Sequence, residues 1–182
     1  MVKQDVEAAA TPSGVTISRE NLVQLLNEDL AREYQAIIAY VVYSQMLKGA
    51  EYIAIAKELE IHATEELQHA ILIAKQIDYL GGTPTVQARE VRVSEDSKEM
   101  LWADLNNENE TIRNYRDRVR QCEALGEFAM AEIIRKILVQ EQEHQIDLAT
   151  ALGKSPSDVA DRQGMAPPSG DGNAKSRAGK NS

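Results

Sequence analysis

Glutamate and histidine stand three residues apart at two places in this chain, Glu66-Leu67-Gln68-His69 and Glu141-Gln142-Glu143-His144. On a helix, side chains at i and i+3 share one face a turn apart, so both can reach the same point. A carboxylate and an imidazole converging on one point suit a borderline divalent cation such as iron, manganese or zinc. Two further glutamates stand in register with the pairs: Glu66 follows Glu33 by 33 residues, and Glu141 follows Glu108 by the same 33. Each half reads Asp-Leu-x2-Glu-x6-Tyr-x25-Glu-x2-His, from Asp29 through Tyr40 to His69 and from Asp104 through Tyr115 to His144. An acidic chain produces one Glu-x-x-His readily. Two copies, using two of only three histidines at matched distances from two further glutamates, form an internal repeat. Such a repeat implies two similar helix hairpins related by a pseudo-two-fold axis.

The elements that must position these residues follow from period and punctuation. Residues 1–16 mix Ala, Pro, Gly and Thr without a period and are expected to form a flexible arm. Ser18 caps a helix running to about Lys48, where Gly49 ends it. A second helix spans about Ala50 to Leu80 and stops at Gly81-Gly82, with Pro84 beyond. Thr83 to Val93 is β-branched and aperiodic, which predicts an extended crossover. Ser94, followed by Glu95 and Asp96, predicts the N-cap of a third helix that reaches Leu125 and breaks at Gly126. A fourth runs from Glu127 to Leu152. From Lys154 the chain is rich in Gly, Pro, Ser, Asp and Lys and is expected to stay disordered. The expected organisation is thus an arm (1–16), an all-α antiparallel four-helix bundle (17–153) and a tail (154–182).

Each helix carries a stripe at alternating steps of four and three, the seam of a bundle. The stripes read Leu26, Leu30, Glu33, Ile37, Tyr40, Ser44, Leu47; then Ile55, Leu59, His62, Glu66, His69, Ile73; then Leu101, Leu105, Glu108, Ile112, Tyr115, Val119, Cys122; then Met130, Ile134, Ile137, Glu141, His144, Leu148. Four glutamates and three histidines lie where a bundle should be apolar. Buried charge is costly unless paired or bound to metal. Glu-x-x-His from each of two helices, with one Glu from each of the others, is the ligand set of a di-iron or di-manganese carboxylate site. Four carboxylates balance two divalent cations. Glu66 and Glu141 are placed to bridge, leaving Glu33 and Glu108 terminal, with positions open for oxygen or peroxide.

Composition limits the setting. Net charge is −9 at pH 7, from 20 basic and 29 acidic residues, which disfavours nucleic acid and favours cations. No apolar run matches a bilayer span, and Met1 to Ala10 lacks the apolar core of a secretory signal. The single cysteine, Cys122, fits a reducing cytoplasm.

On these residues the chain resembles the ferritin-like superfamily, and bacterioferritin most closely, over about residues 18–152. The resemblance rests on Glu33, Glu66, His69, Glu108, Glu141 and His144, on Tyr40 beside them, and on the segment Asp96 to Glu108 with Glu99-Met100-Leu101 and Asp104-Leu105. It implies a ferritin-like bundle with a long B–C crossover and two iron ions. It also implies a ferroxidase that oxidises Fe(II) with dioxygen or peroxide, in homo-oligomers closed into an iron-storing shell. Tyr40 is the catalytic candidate beside the metals. The chain departs from bacterioferritin in three places. Leu67 stands where that family carries the haem-ligating methionine, so haem is not expected. No fifth helix is expected after Gly153, which makes a smaller Dps-like shell of twelve subunits an alternative. Position 61 is Ile, with His62 following, where the family has an inner-surface histidine.

The remaining polar residues are assigned by position. Asp29 and Asp104 are expected to accept the free ring N–H of the metal-bound histidines. Tyr115 is read, like Tyr40, as a core aromatic with a polar tip. His62 is read as lining the core or a cavity rather than as a seventh ligand, and Cys122 as a small buried hydrophobe. Met46, Met100, Met130 and Trp102 are read as packing residues, and Lys175, Arg177 and Lys180 as a solvated tail that does not bind DNA. The main functional alternative is a di-metal enzyme without storage, a rubrerythrin-like peroxidase or a manganese catalase. With one Cys the chain has no rubredoxin-type Cys-x-x-Cys, so such a peroxidase would need an external electron donor.

Overall fold

A computed structural model describes residues 9–10 and 16–159. Four long helices dominate: α1 (Arg19–Met46), α2 (Ile53–Tyr79), α3 (Ser97–Ala124) and α4 (Phe128–Ala151). The Ser18 side chain accepts the Asn21 N–H at 3.2 Å and caps α1 as expected. A turn of 3₁₀ helix (Ala50–Tyr52) leads into α2. The cap of α3 is Asp96 rather than Ser94: its carboxylate accepts the N–H groups of Lys98 (2.7 Å) and Glu99 (3.1 Å). A carboxylate also answers the helix dipole, which a hydroxyl does not. Ser94 supports this cap by accepting the Asp96 N–H at 3.1 Å.

The tight α3–α4 connection turns on Gly126, at φ +77°. Its N–H reaches the Glu123 carbonyl (3.0 Å) while the Glu127 N–H reaches that of Cys122 (2.8 Å), closing the last turn of α3. The crossover from Gly82 to Asp96 is extended and lies along α1. Asn27 binds it twice, donating to the Thr83 carbonyl and accepting from the Thr85 N–H, and the Arg89 N–H reaches the Ala31 carbonyl. α1 packs chiefly on α2 and α3 on α4, and α1–α3 and α2–α4 contacts close the bundle. No helix among the described residues is long and apolar enough to cross a membrane.

The expected stripes face inward except at Ile37, Ser44 and Val119, which are half-buried. Tyr43 replaces Ser44 as the buried residue, its hydroxyl donating to the Arg92 carbonyl of the crossover. Two ends of the chain depart from expectation. Ala9–Ala10 pairs antiparallel with Thr16–Ile17, in the register Ala9 to Ile17, so part of the expected arm forms a two-stranded ribbon ending on the buried Ile17. Pro156–Val159 form a short helix, α5, within the expected tail. Its Val159 is buried against the end of the bundle, in a cluster with residues such as Leu47 and Leu101. One apolar residue, Val159, in the short helix beyond Gly153 thus finds a site that composition does not reveal. The Lys175, Arg177 and Lys180 group lies outside the described residues.

The core has two apolar clusters. One gathers Tyr40, Tyr43, Ile55, Leu59, Leu101, Leu105 and Leu148; the other gathers Leu22, Leu26, Leu30, Ile73, Ile77, Cys122, Ile134 and Ile137. A layer of buried polar side chains lies at mid-bundle among them.

Candidate metal centre

All six residues of the repeated motif meet in that layer: Glu33 from α1, Glu66 and His69 from α2, Glu108 from α3, Glu141 and His144 from α4. None is more than 2% exposed. They fall into two overlapping groups, Glu33, Glu66, His69, Glu141 and Glu66, Glu108, Glu141, His144, each with ligand-type atoms within 4.8 Å of one another. Glu66 and Glu141 belong to both. Each splits its two oxygens between the histidines. Glu66 Oε2 is 3.1 Å from His69 Nδ1 and Oε1 is 2.9 Å from His144 Nδ1; Glu141 Oε1 and Oε2 are 3.1 and 3.6 Å from the same two nitrogens. Ligands sharing an ion at about 2.1 Å stand roughly 3–3.4 Å apart, so these separations suit two cations bridged by two carboxylates. Glu33 Oε2 and Glu108 Oε2 are buried without a well-formed hydrogen bond, and the Glu141 oxygens meet only the two histidine Nδ1 atoms. Orphaned carboxylate oxygens at this depth are what a cation would satisfy.

The other oxygens of the terminal glutamates are held by tyrosines. The Tyr40 hydroxyl donates to Glu108 Oε1, and the Tyr115 hydroxyl to Glu33 Oε1. Each tyrosine serves the glutamate of the opposite half. Burial and the nearby carboxylates push both phenols well above their usual range, so both stay protonated donors.

The outer nitrogens of the histidines do not meet Asp29 or Asp104. His69 Nε2 bonds Gln140 Oε1 (3.0 Å), His144 Nε2 bonds Glu65 Oε2 (2.9 Å), and the Gln140 amide donates to Glu65 Oε1 (3.2 Å). Both oxygens accept, so both imidazoles carry hydrogen on Nε2 and turn Nδ1 toward the carboxylates. The expected role of the aspartates fails because helix geometry gives them other neighbours. Asp29 is paired with Arg32 and with Arg118, whose Nε is 2.7 Å away. Asp104 forms no salt bridge among the described residues, only the positive charge of His144 acting on it, and its Oδ2 accepts nothing. Glu65 and Gln140 carry a signal in the chain: each immediately precedes the glutamate of a Glu-x-x-His. The choice of partner is a cross-helix fact, with each residue reaching the histidine of the other hairpin.

Electrostatics in the metal-free protein follow burial and pairing. Burial, then the charges of Glu66 and Glu141, hold Glu33 and Glu108 well above the usual carboxylate range, which favours their protonated forms. Burial also works against ionised Glu66 and Glu141, but hydrogen bonds from His144 and His69 outweigh it and lower both. The same contacts raise His69, and His144 to about 12, against a burial effect of opposite sign. Protonated Glu33 and Glu108, with His69 and His144 as imidazolium, would balance the charge of ionised Glu66 and Glu141. Cys122 is fully buried, and burial pushes its thiol up to about 12, in keeping with a packing role. Leu67 lies on the outer face of α2, 47% exposed, away from the centre.

Comparison with known proteins agrees with this geometry. The ferritin-like domain family matches residues 23–157. The chain is 26% identical to a bacterioferritin of Brucella melitensis over 140 residues, covering 73% of this chain and 87% of that one. It is 30% identical to a bacterioferritin of Streptomyces coelicolor over 141 residues (74% and 84%). A crystal structure described as that of ferritin-like, diiron-carboxylate proteins from Bacillus anthracis superposes with a TM-score of 0.71 at 33% identity, over 75% of this chain and 99% of that one. This protein belongs to the ferritin-like family.

Proposed function

We propose that this protein is a di-iron ferroxidase serving iron storage or detoxification. The observation that carries the reading is the pair of buried carboxylates, Glu66 and Glu141, each with one oxygen toward either histidine. Two Fe(II) ions are the substrate. One is taken by Glu33 and His69, the other by Glu108 and His144, and Glu66 and Glu141 span both. Manganese or zinc fits the same oxygen and nitrogen donors. Each Fe(II) gives up one electron. Dioxygen takes the two electrons and two protons to leave hydrogen peroxide, or peroxide takes them to leave two waters. A pair of metals supplies both electrons at one place, which a lone ion does not.

The protein's own part is to hold and release protons. Glu33, Glu108, His69 and His144 each lose one as the cations enter, so four carboxylates balance two divalent ions. Tyr40 acts through its hydrogen bond to Glu108, fixing the orientation of that terminal ligand beside the reacting metals. Leu67 has no lone pair to offer haem iron, so haem has no part in the reading. The ferric product is stored inside a closed homo-oligomeric shell in the cytoplasm, since symmetric closure alone gives many copies a common interior.

Two measurements test this together: the initial rate of Fe(II) oxidation, and particle mass by light scattering before and after iron loading. Rapid oxidation with a particle of at least a dozen chains is expected. Rapid oxidation by a monomer or dimer would instead favour an enzyme without storage.

A further inference from the structure

The two candidate ligand histidines are not held alike. His69 Nδ1 has three carboxylates around it, Glu66 and Glu141 at 3.1 Å and Glu33 at 3.5 Å. His144 Nδ1 has two among the described residues, Glu66 at 2.9 Å and Glu141 at 3.6 Å. A ligand aimed by fewer contacts needs another constraint on its ring to stay in place for a metal.

A third imidazole supplies that constraint. The His62 ring stacks on His144, with centroids 4.0 Å apart and planes inclined by 29°. The Tyr40 ring meets both edge-on, at 5.5 Å from His62 and 6.0 Å from His144. His62 is itself faced from α4, where Asp147 Oδ2 stands 3.3 Å from its Nε2. One edge of the ring thus meets a carboxylate of the α2–α4 groove while one face covers the ligand. The ring is only 2% exposed, and its Nδ1 has no hydrogen-bond partner. A buried polar atom left unpaired costs stability, so packing does not account for an imidazole here.

The internal repeat shows what packing alone would use. His69 and His144 are 75 residues apart (144 − 69 = 75), and at the same offset the counterpart of His62 is Ile137 and that of Asp147 is Leu72. Ile137 is buried in the second apolar cluster, and Leu72 packs against it. The framework therefore carries an aliphatic pair beside the histidine that has three carboxylates. It carries the imidazole and carboxylate beside the histidine that has two.

We propose that His62, faced by Asp147, is a positioning residue that fixes the ring of His144, so that Nδ1 stays aimed at the metal position His144 shares with Glu108. The inference rests on the dinuclear reading. His62 touches no metal in it and acts through His144, since a ring already fixed loses less freedom when an ion binds. Tyr40 packs on both rings and also donates to Glu108. The position served by His144 and Glu108 is thereby the pre-organised one of the pair.

The test is anaerobic Co(II) titration of the full chain, followed by absorption and by the hyperfine-shifted imidazole N–H resonances. Wild type should bind two Co(II) and show two such resonances. The one that moves in Glu65→Gln belongs to His144, whose Nε2 faces Glu65. His62→Leu should still bind two Co(II), with the His144 position weakened by about tenfold, the loss expected when a ligand's supporting partner is removed. Its resonance should shift while that of His69 stays. His62→Phe, which restores a flat ring, should recover most of the affinity. The metal-free Tm of His62→Leu should equal or exceed that of wild type, because an unpaired buried nitrogen is gone. A merely structural role would lower Tm and affinity together. Unchanged affinity and resonances in His62→Leu would overturn the proposal and leave the dinuclear reading standing. Equal weakening of both positions with a lower Tm would do the same. Fewer than two Co(II) in wild type would overturn the dinuclear reading and this proposal with it.

Discussion

The α1–α2 hairpin and the α3–α4 hairpin each present the same three candidate ligands, two glutamates and a histidine, but surround them differently. In the first, Asp29 is buried between Arg32 and Arg118. In the second, the matching Asp104 is equally buried, with Asn107 and Tyr43 at the places of the two arginines. Glu65 of the first hairpin accepts from one histidine with a full charge, where Gln140 of the second accepts from the other with a neutral amide. The repeat is therefore symmetric in what would touch metal and asymmetric one layer out. The difference teaches that the two candidate metal positions, alike in the residues that would hold an ion, differ in the partners of their histidines and in the charge around them.

The largest expected effect tests the symmetric layer. Glu66→Ala and Glu141→Ala should lower the initial rate of Fe(II) oxidation alike, by more than about 100-fold, beyond what loss of an outer-layer partner costs. Stopped-flow measurement of both variants checks this. A normal rate in either one would break the equivalence of the two bridges.

Next come the aspartates. Asp29→Asn leaves Arg32 and Arg118 buried with too little negative charge and should destabilise the protein by about 3 kcal/mol, measured by denaturant unfolding. Arg32 keeps Glu110 as a second partner, which places the loss at the low end for a broken buried pair. Asp104→Asn removes a buried acid that forms no salt bridge and that burial holds above its ordinary range, and should be neutral or stabilising in the metal-free protein. Equal losses in the two variants would show that the asymmetry has no energetic content.

The pH dependence follows from the shifted groups. Glu33 and Glu108, with ordinary values near 4.5, and Asp104, near 3.8, are all raised in the folded state. Their contribution is present below those ordinary values and is lost as pH rises through the higher folded ones. His69 and His144 act with the same sign above their ordinary value near 6.5. The metal-free protein should thus lose stability as pH rises above about 6.5. Metal binding reverses the protonation, so two Zn(II) ions at pH 7 should release about four protons per chain. Calorimetry in buffers of different ionisation enthalpy counts them. Glu33→Gln should release about one proton fewer and show a smaller metal-induced rise in Tm. An unchanged rise would remove Glu33 from the site.

The smallest effect concerns the outer partners. Glu65→Gln makes them alike and should weaken Co(II) binding at the position served by His144 by about tenfold. Gln140→Glu should strengthen the position served by His69. Co(II) titrations monitored by absorption would show whether the two steps converge and separate in this way.

Much of this was legible in the chain. The doubled Glu-x-x-His, the equal spacing to Glu33 and Glu108 and the glycine stops are local or periodic features. A helix converts such spacing into a shared face by its own geometry. Hence the four helices, their inward stripes and the six candidate ligands follow from sequence alone. The tertiary structure decided what spacing cannot encode. It gave the histidines to Glu65 and Gln140 instead of Asp29 and Asp104, the tyrosines to the glutamates of the opposite half, and Val159 to the end of the bundle. It also brought Asp147 to His62. Each of these is a contact between side chains on different elements. Such contacts depend on how the helices are rotated and stacked against one another, and the period within one helix carries no record of that.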